Sequence, residues 1–180
     1  MKSTMAIVIA LAISSGALTF AQSTAIPAKP GPEHARLAAL VGNWTTEGET
    51  TENPFGPAEK CAGKLTTEWF DGRFGIVRRL EAKCSSSGDV RQLDSLAYDA
   101  AAKQYTWYFL DNQGSTGLGK GSIADDTLTM NWDVPAKGKV YKVRGTLKGL
   151  GTAKFSWRQE YSEDGKTWKT YFNSTDTKSK

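Results

Sequence analysis

The sequence has one histidine and two cysteines in 180 residues. So few soft ligands exclude multi-histidine metal centres and any catalytic scheme that needs two imidazoles. No Gly-x-Ser-x-Gly elbow is present to present a nucleophilic serine. No uninterrupted apolar run reaches the roughly 20 residues that a membrane-spanning helix requires. Charge of one sign is also scarce: the formal net charge is +4, and the basic residues are scattered among acidic ones, so a nucleic-acid partner is not expected. What the chain does have is apolar volume. With 39% hydrophobic and 11% aromatic residues, including six tryptophans, it can form a core, which rules out a disordered or collagen-like polypeptide.

The N-terminus reads as an address. Lys2 supplies a positive start, Met5 to Leu18 is apolar apart from Ser14, Ser15 and Gly16, and Thr19-Phe20-Ala21 ends in a small residue. This is the pattern of a cleavable secretory signal over residues 1–21. No cysteine follows the exit to take a lipid, so no stable membrane anchor is expected after cleavage. Residues 22–31 are an extended, proline-bearing leader, and 32–180 form a single domain. The expected location is periplasmic or secreted. The sequence carries no signal for oligomeric state.

Pro32 to Val41 predicts a short helix: Pro at its start, Glu33 in the first turn, Leu37, Leu40 and Val41 along one side, and Gly42 after its end. Helical periodicity does not return. Alternating segments near 43–51, 59–70, 73–85, 91–98, 104–111, 115–122, 127–133, 139–147, 153–161 and 167–175 predict about ten strands. Strands this closely spaced form an antiparallel meander, and closing it into an all-β, up-and-down barrel removes its edges.

Two hairpins can be placed in register. In the first, Leu65 falls opposite Leu80 and Trp69 opposite Ile76, which sets Thr67 against Arg78, Gly63 against Ala82 and Cys61 against Cys84. Cysteines facing each other on adjacent strands in an oxidising compartment predict a Cys61–Cys84 disulfide. In the last hairpin, Asp164-Gly165 read as a two-residue turn pairs Tyr161 with Trp168, Gln159 with Thr170, Trp157 with Phe172 and Phe155 with Ser174. Both hairpins then show one aromatic-rich face and one charged face, the second pairing Glu160 with Lys169.

The segment from His34 to Trp44, a short helix followed by Gly-x-Trp, resembles the opening of a calycin, as in lipocalins, fatty-acid-binding proteins and nitrobindins. Together with Gly72-Arg73-Phe74, Tyr98-Asp99 before Tyr105, Asp111 to Gly114 and Asp164-Gly165-Lys166-Thr167-Trp168, it resembles the bacterial family known as domain of unknown function 1579. That resemblance covers nearly all of the mature chain and implies a lipocalin-like barrel without an assigned activity. Nitrobindin-like proteins hold haem through a histidine late in the barrel. This chain has none beyond His34, so no cofactor is expected.

Trp44, Trp69, Trp132, Trp157 and Trp168 recur on the predicted inner faces, where they either fill a core or line a cavity. Arg78 is the charged residue that the register turns inward; it either meets the polar end of a ligand or packs across Trp44. Thr67, Gln159 and Thr170 are milder polar members of the same lining. The candidate ligand-binding set is therefore Arg78, Trp69, Thr67, Gln159, Trp157 and Tyr161, for a small apolar or amphipathic molecule. His34 is expected to be a barrel-end residue satisfied by backbone or carboxylate rather than a catalytic base, and no metal site is expected. An isomerase, cyclase or hydrolase on the same barrel, or a filled scaffold acting through its outer loops, are the alternatives.

Overall fold

The computed structural model describes residues 29–179. The signal expected over 1–21 and most of the expected leader lie outside the described residues. Ten strands, β1 (Gly42–Thr50), β2 (Glu59–Trp69), β3 (Gly75–Cys84), β4 (Gly88–Asp99), β5 (Gln104–Asp111), β6 (Thr116–Ala124), β7 (Thr127–Ala136), β8 (Lys139–Lys148), β9 (Lys154–Ser162) and β10 (Lys169–Lys178), follow one another around a closed antiparallel barrel. Pairing of β1 with β10 closes it, Trp44 standing opposite Lys178 and Thr46 opposite Asp176. Among the described residues no helix is long and apolar enough to cross a membrane.

The predicted single helix is two pieces: α1 (Pro32–Ala35), then a 3-10 segment Arg36–Leu40. The tighter helix has three residues per turn, which points Leu37 and Leu40 the same way, and both are buried. This cap seals one end of the barrel. Arg36 donates to the carbonyls of Ile123 and Asp125 at 3.0 and 2.7 Å, and the Tyr105 hydroxyl is shared between the carbonyl and carboxylate of Glu33. His34 is satisfied locally: its Nδ1 accepts the Gly31 N–H at 3.0 Å, and its ring packs edge-on against Phe74 and Tyr98. Gly42, at φ 131°, turns the chain from the cap into β1 through a conformation other residues rarely adopt. Trp44 is buried beneath the cap, its indole N–H donating to the Leu40 carbonyl at 3.0 Å and its ring against Phe155.

The β2–β3 register is the one expected, Leu65 opposite Leu80, Thr67 opposite Arg78 and Trp69 opposite Ile76. Cys61 and Cys84 are bonded, with Cα atoms 4.1 Å apart, at the end of the hairpin far from its turn. The bridge spans 23 residues, and loop entropy alone gives about 3 kcal/mol for such a closure. The paired strands already restrain those ends, so reduction should cost up to about 3 kcal/mol in a urea titration run with and without reductant. Global unfolding on reduction would mean that the bridge carries the hairpin.

The last hairpin corrects its predicted register. Tyr161 pairs with Lys169, Gln159 with Phe172, Trp157 with Ser174 and Phe155 with Asp176, with a bulge between Thr170 and Phe172. The cause is the turn. A two-residue Asp-Gly turn needs positive φ at both positions, and here Gly165 has it, at 71°, while Asp164 does not. Instead the Asp164 carboxylate accepts the N–H groups of Lys166 and Thr167 and the Ser162 hydroxyl, organising a wider loop. Those donors hold the exposed Asp164 carboxyl low, at about 2. The shift moves Trp168 off the inner face and under the Arg144 guanidinium, 4.4 Å from its ring centroid. Thr170 likewise faces outward and accepts from Arg158 at 3.0 Å, and Glu160 pairs with Arg144 and Arg158 instead of Lys169.

Candidate functional site

Side chains from all around the barrel leave a cavity of about 350 Å³ in its interior. Its wall is largely aromatic and aliphatic: Trp107, Phe109, Met130, Trp132, Leu147 and Trp157 line it. Trp132 and Trp157 present parallel rings 6.5 Å apart, and Trp107 stacks on Phe109 at 4.7 Å. Trp157 reaches this position because β8 has a glycine beneath it; a Cβ on Gly145 would come within 2.1 Å of the indole. At the end opposite the cap, Phe55 in the β1–β2 connection lies over the mouth, edge-on to Tyr141, Tyr161 and Tyr171. Asn53 shapes that connection by accepting the Phe55 N–H at 2.8 Å.

One part of the wall is polar. Arg78 on β3 stands opposite Asp94 on β4, and Asp176 on β10 comes in across the barrel. Arg78 Nη1 is 3.9 Å from Asp94 Oδ2, an ion pair too long for a hydrogen bond, while Gln92 donates to Asp94 Oδ1 at 2.7 Å. Burial pushes the Asp94 carboxyl above its ordinary range, against the pull of Arg78, the Gln92 amide and the Trp107 indole. Trp107 Nε1 leans toward that carboxylate without closing a hydrogen bond, and it is left, like Arg78 Nε, as a buried donor with no partner. Burial likewise raises Asp176, opposed by Thr46, Arg78 and Ser174. Tyr171 donates to Gln159 at the rim, and burial lifts its phenol well above the usual tyrosine range.

Of the residues expected from sequence to meet a ligand, the structure brings Arg78, Trp157 and Gln159 together on the cavity wall. Thr67 lies elsewhere, buried with its hydroxyl unpaired. Trp69 and Tyr161 pack against the core and do not line the cavity. Arg78 does not cover Trp44; that place is taken by Lys178, whose Nζ is 5.3 Å from the ring centroid. Asp94, Asp176 and Trp107 are the residues sequence reasoning missed. A signal for Asp94 existed, since continuing the β3 register across the Ser85–Ser87 turn sets it opposite Arg78.

A larger concavity, about 1080 Å³, lies on the outer face across β1 to β3 and β7 to β10. It is an open bend of the sheet, and its Arg144 and Arg158 guanidinium groups are already matched to Glu160. The interior cavity is the more enclosed of the two and the more apolar in its lining.

The two raised aspartates set a pH dependence. Between the unfolded value near 3.9 and their higher native values, the folded state binds more protons than the unfolded one, so stability falls as pH rises through that window. Asp164 acts oppositely: its contribution is present above about 3.9 and is lost as pH falls toward about 2. The melting temperature should therefore peak on the acid side of neutrality, and Asp94→Asn or Asp176→Asn should flatten the alkaline decline. A melting temperature that climbs steadily from pH 4 to 8 would contradict this.

No curated protein matches the chain in sequence. Among solved structures, Rv2717c from M. tuberculosis aligns at 11% identity over 84% of this chain and 100% of its own, with a TM-score of 0.59. The S-type phycobiliprotein lyase CPES from Guillardia theta aligns at 11% identity over 84% of this chain and 99% of its own, at 0.52. At that identity the likeness establishes the barrel fold alone. A family model fits residues 29–178, from just before the cap to the end of β10, and the chain belongs to that family, described as "Protein of unknown function (DUF1579)".

Proposed function

We propose that this is an exported barrel, periplasmic or secreted, that binds a small apolar or amphipathic molecule in its interior. The observation that carries the reading is the cavity of about 350 Å³, lined by aromatic rings with a small polar sector on one side. Small-molecule sites have this make-up and begin at about this volume, whereas a barrel filled only for stability is packed to close contact. Export is supported by the signal-like residues 1–21 and by the Cys61–Cys84 bond, a linkage typical of oxidising compartments.

Native mass spectrometry of the protein exported by its source host tests both parts. The expected species is a disulfide-bonded chain beginning at Gln22, carrying a non-covalent small molecule. A chain that retains residues 1–21 overturns the export reading. Repeated ligand-free preparations that also fail to take up hydrophobic probes overturn the binding reading.

A further inference from the structure

β6 and β7 separate at the end of the barrel opposite the cap. The ladder between them starts at Ala124–Thr127, beside their turn, and stops at Lys120–Asn131. Beyond that point β6 continues along β5 as far as Thr116, opposite Leu110, and β7 continues along β8 as far as Ala136, opposite Lys139. Residues 116–119 and 132–136 therefore have a strand on one side only, and a seam opens between them.

Both margins of the seam have the composition of an edge. β7 places Pro135 there, which has no N–H to give a neighbour, and the exposed Asp133; proline and outward charge are what free sheet edges carry. On β6 the alternate residues Gly117 and Gly119 give the interior no side chain. Two rings from β5 occupy that space instead: a Cβ on Gly117 would fall 2.2 Å from the Phe109 ring, and one on Gly119 would fall 3.0 Å from the Trp107 ring. Glycine weakens a strand interior, and this half of β6 is held by β5 alone, so it is the part of the wall that opens at least cost.

The cavity reaches this seam. Trp132 and Val134 on its β7 margin line the cavity, as do Phe109 and Ser115 beside its β6 margin. The two ends of the barrel are obstructed, one by the cap with Leu37, Leu40 and Trp44 buried beneath it, the other by Phe55 packed on Tyr141, Tyr161 and Tyr171. Outside the seam Leu118 is 58% exposed, with Tyr108, 45% exposed, opposite it. An apolar molecule can shed water on that step before it enters.

Resting on the binding reading above, we infer that the ligand enters from the side, between residues 116–119 of β6 and 132–136 of β7, with the glycine-bearing end of β6 as the moving leaf and Phe109 as its inner face. The route sets how fast the cavity fills and empties; the bound state is set by the lining.

The whole mature protein carrying Leu118→Cys and Asp133→Cys tests this. These two positions face each other when the ladder is continued past Lys120 and Asn131. A short bis-maleimide joins the new thiols and leaves the Cys61–Cys84 bond intact. Exchange of ethylbenzene is read from the indole N–H resonances of Trp132 and Trp157. The cross-link should slow entry and exit together, by about tenfold or more, with affinity unchanged. The same linker across Glu81→Cys and Arg91→Cys, an outward pair inside the unbroken β3–β4 ladder, should leave both rates as they were. Should the first double variant not fold, Leu118→Cys alone, labelled with a bulky maleimide at its exposed position, should slow entry in the same way. Rates unaffected by the seam cross-link or label, or slowed equally by the β3–β4 linker, overturn the inference while ethylbenzene still binds. Failure of the unmodified protein to take up ethylbenzene overturns the binding reading and the inference with it.

Discussion

Arg78→Met should destabilise the protein by about 3 kcal/mol at pH 8, the cost of leaving a buried carboxylate without its cation. For a chain of this size that is a fall of roughly 6–12 °C in melting temperature. The substitution keeps most of the stem volume and removes the charge, so Asp94, 3% exposed, and Asp176, 4% exposed, lose the guanidinium between them. Each can escape by taking a proton, and without Arg78 their native values rise further. The defect should therefore shrink to below about 1 kcal/mol near pH 5, where protonation is easier. A loss of equal size at both pH values would show that Arg78 acts through packing, and no loss at either would show that the charge cluster is not structural. Melting curves at the two pH values separate these outcomes.

Trp44→Ala should cost about 3–5 kcal/mol, the range for truncating a buried aromatic side chain. Trp44 is 1% exposed and holds three things at once: the cap through the Leu40 carbonyl, β9 through Phe155, and the end of β10 through Lys178. Its loss loosens the sealed end of the barrel rather than the cavity wall. In a urea titration the variant should unfold at a much lower midpoint. Hydrogen exchange should accelerate first in residues 32–40, which depend on Trp44 for their anchor. A cost below about 1 kcal/mol would mean that the cap closes the barrel without it.

The parts of the fold legible in the sequence were those pinned by side chains of high apolar contrast. Leu65, Leu80, Trp69 and Ile76 allow one register for β2 and β3, because a slip of one residue would send all of them to solvent. The last hairpin lacked such a pin. Asp164-Gly165 resembles a tight turn in composition, but the carboxylate of Asp164 spends its hydrogen bonds on a wider loop and Tyr171 is accommodated in the bulge. The face of Trp168 depends on the same turn, and the wider loop puts it outside the barrel beneath Arg144.

The cavity was half legible. Arg78, Trp157 and Gln159 follow from strand alternation, which local sequence carries. Asp176 does not, because its place against Arg78 depends on β1 and β10 closing the barrel from opposite ends of the chain. Whether aromatic residues fill a barrel or line a space inside it depends on fractions of an ångström per side chain, and no periodicity encodes that. Gly145 illustrates the point: the absence of one Cβ lets Trp157 lie back against β8.

The six tryptophan indole N–H resonances provide the most direct measurement of whether the barrel interior is a binding cavity. An apolar cavity of about 150 Å³ admits benzene, so ethylbenzene is a fair probe of access to this larger one. Titrated with ethylbenzene, the resonances of Trp107, Trp132 and Trp157, which line the cavity, should shift together with one dissociation constant, while Trp168 on the outer face stays fixed. Unmoved resonances at Trp107, Trp132 and Trp157, or shifts confined to Trp168 and the outer groove, would contradict the account.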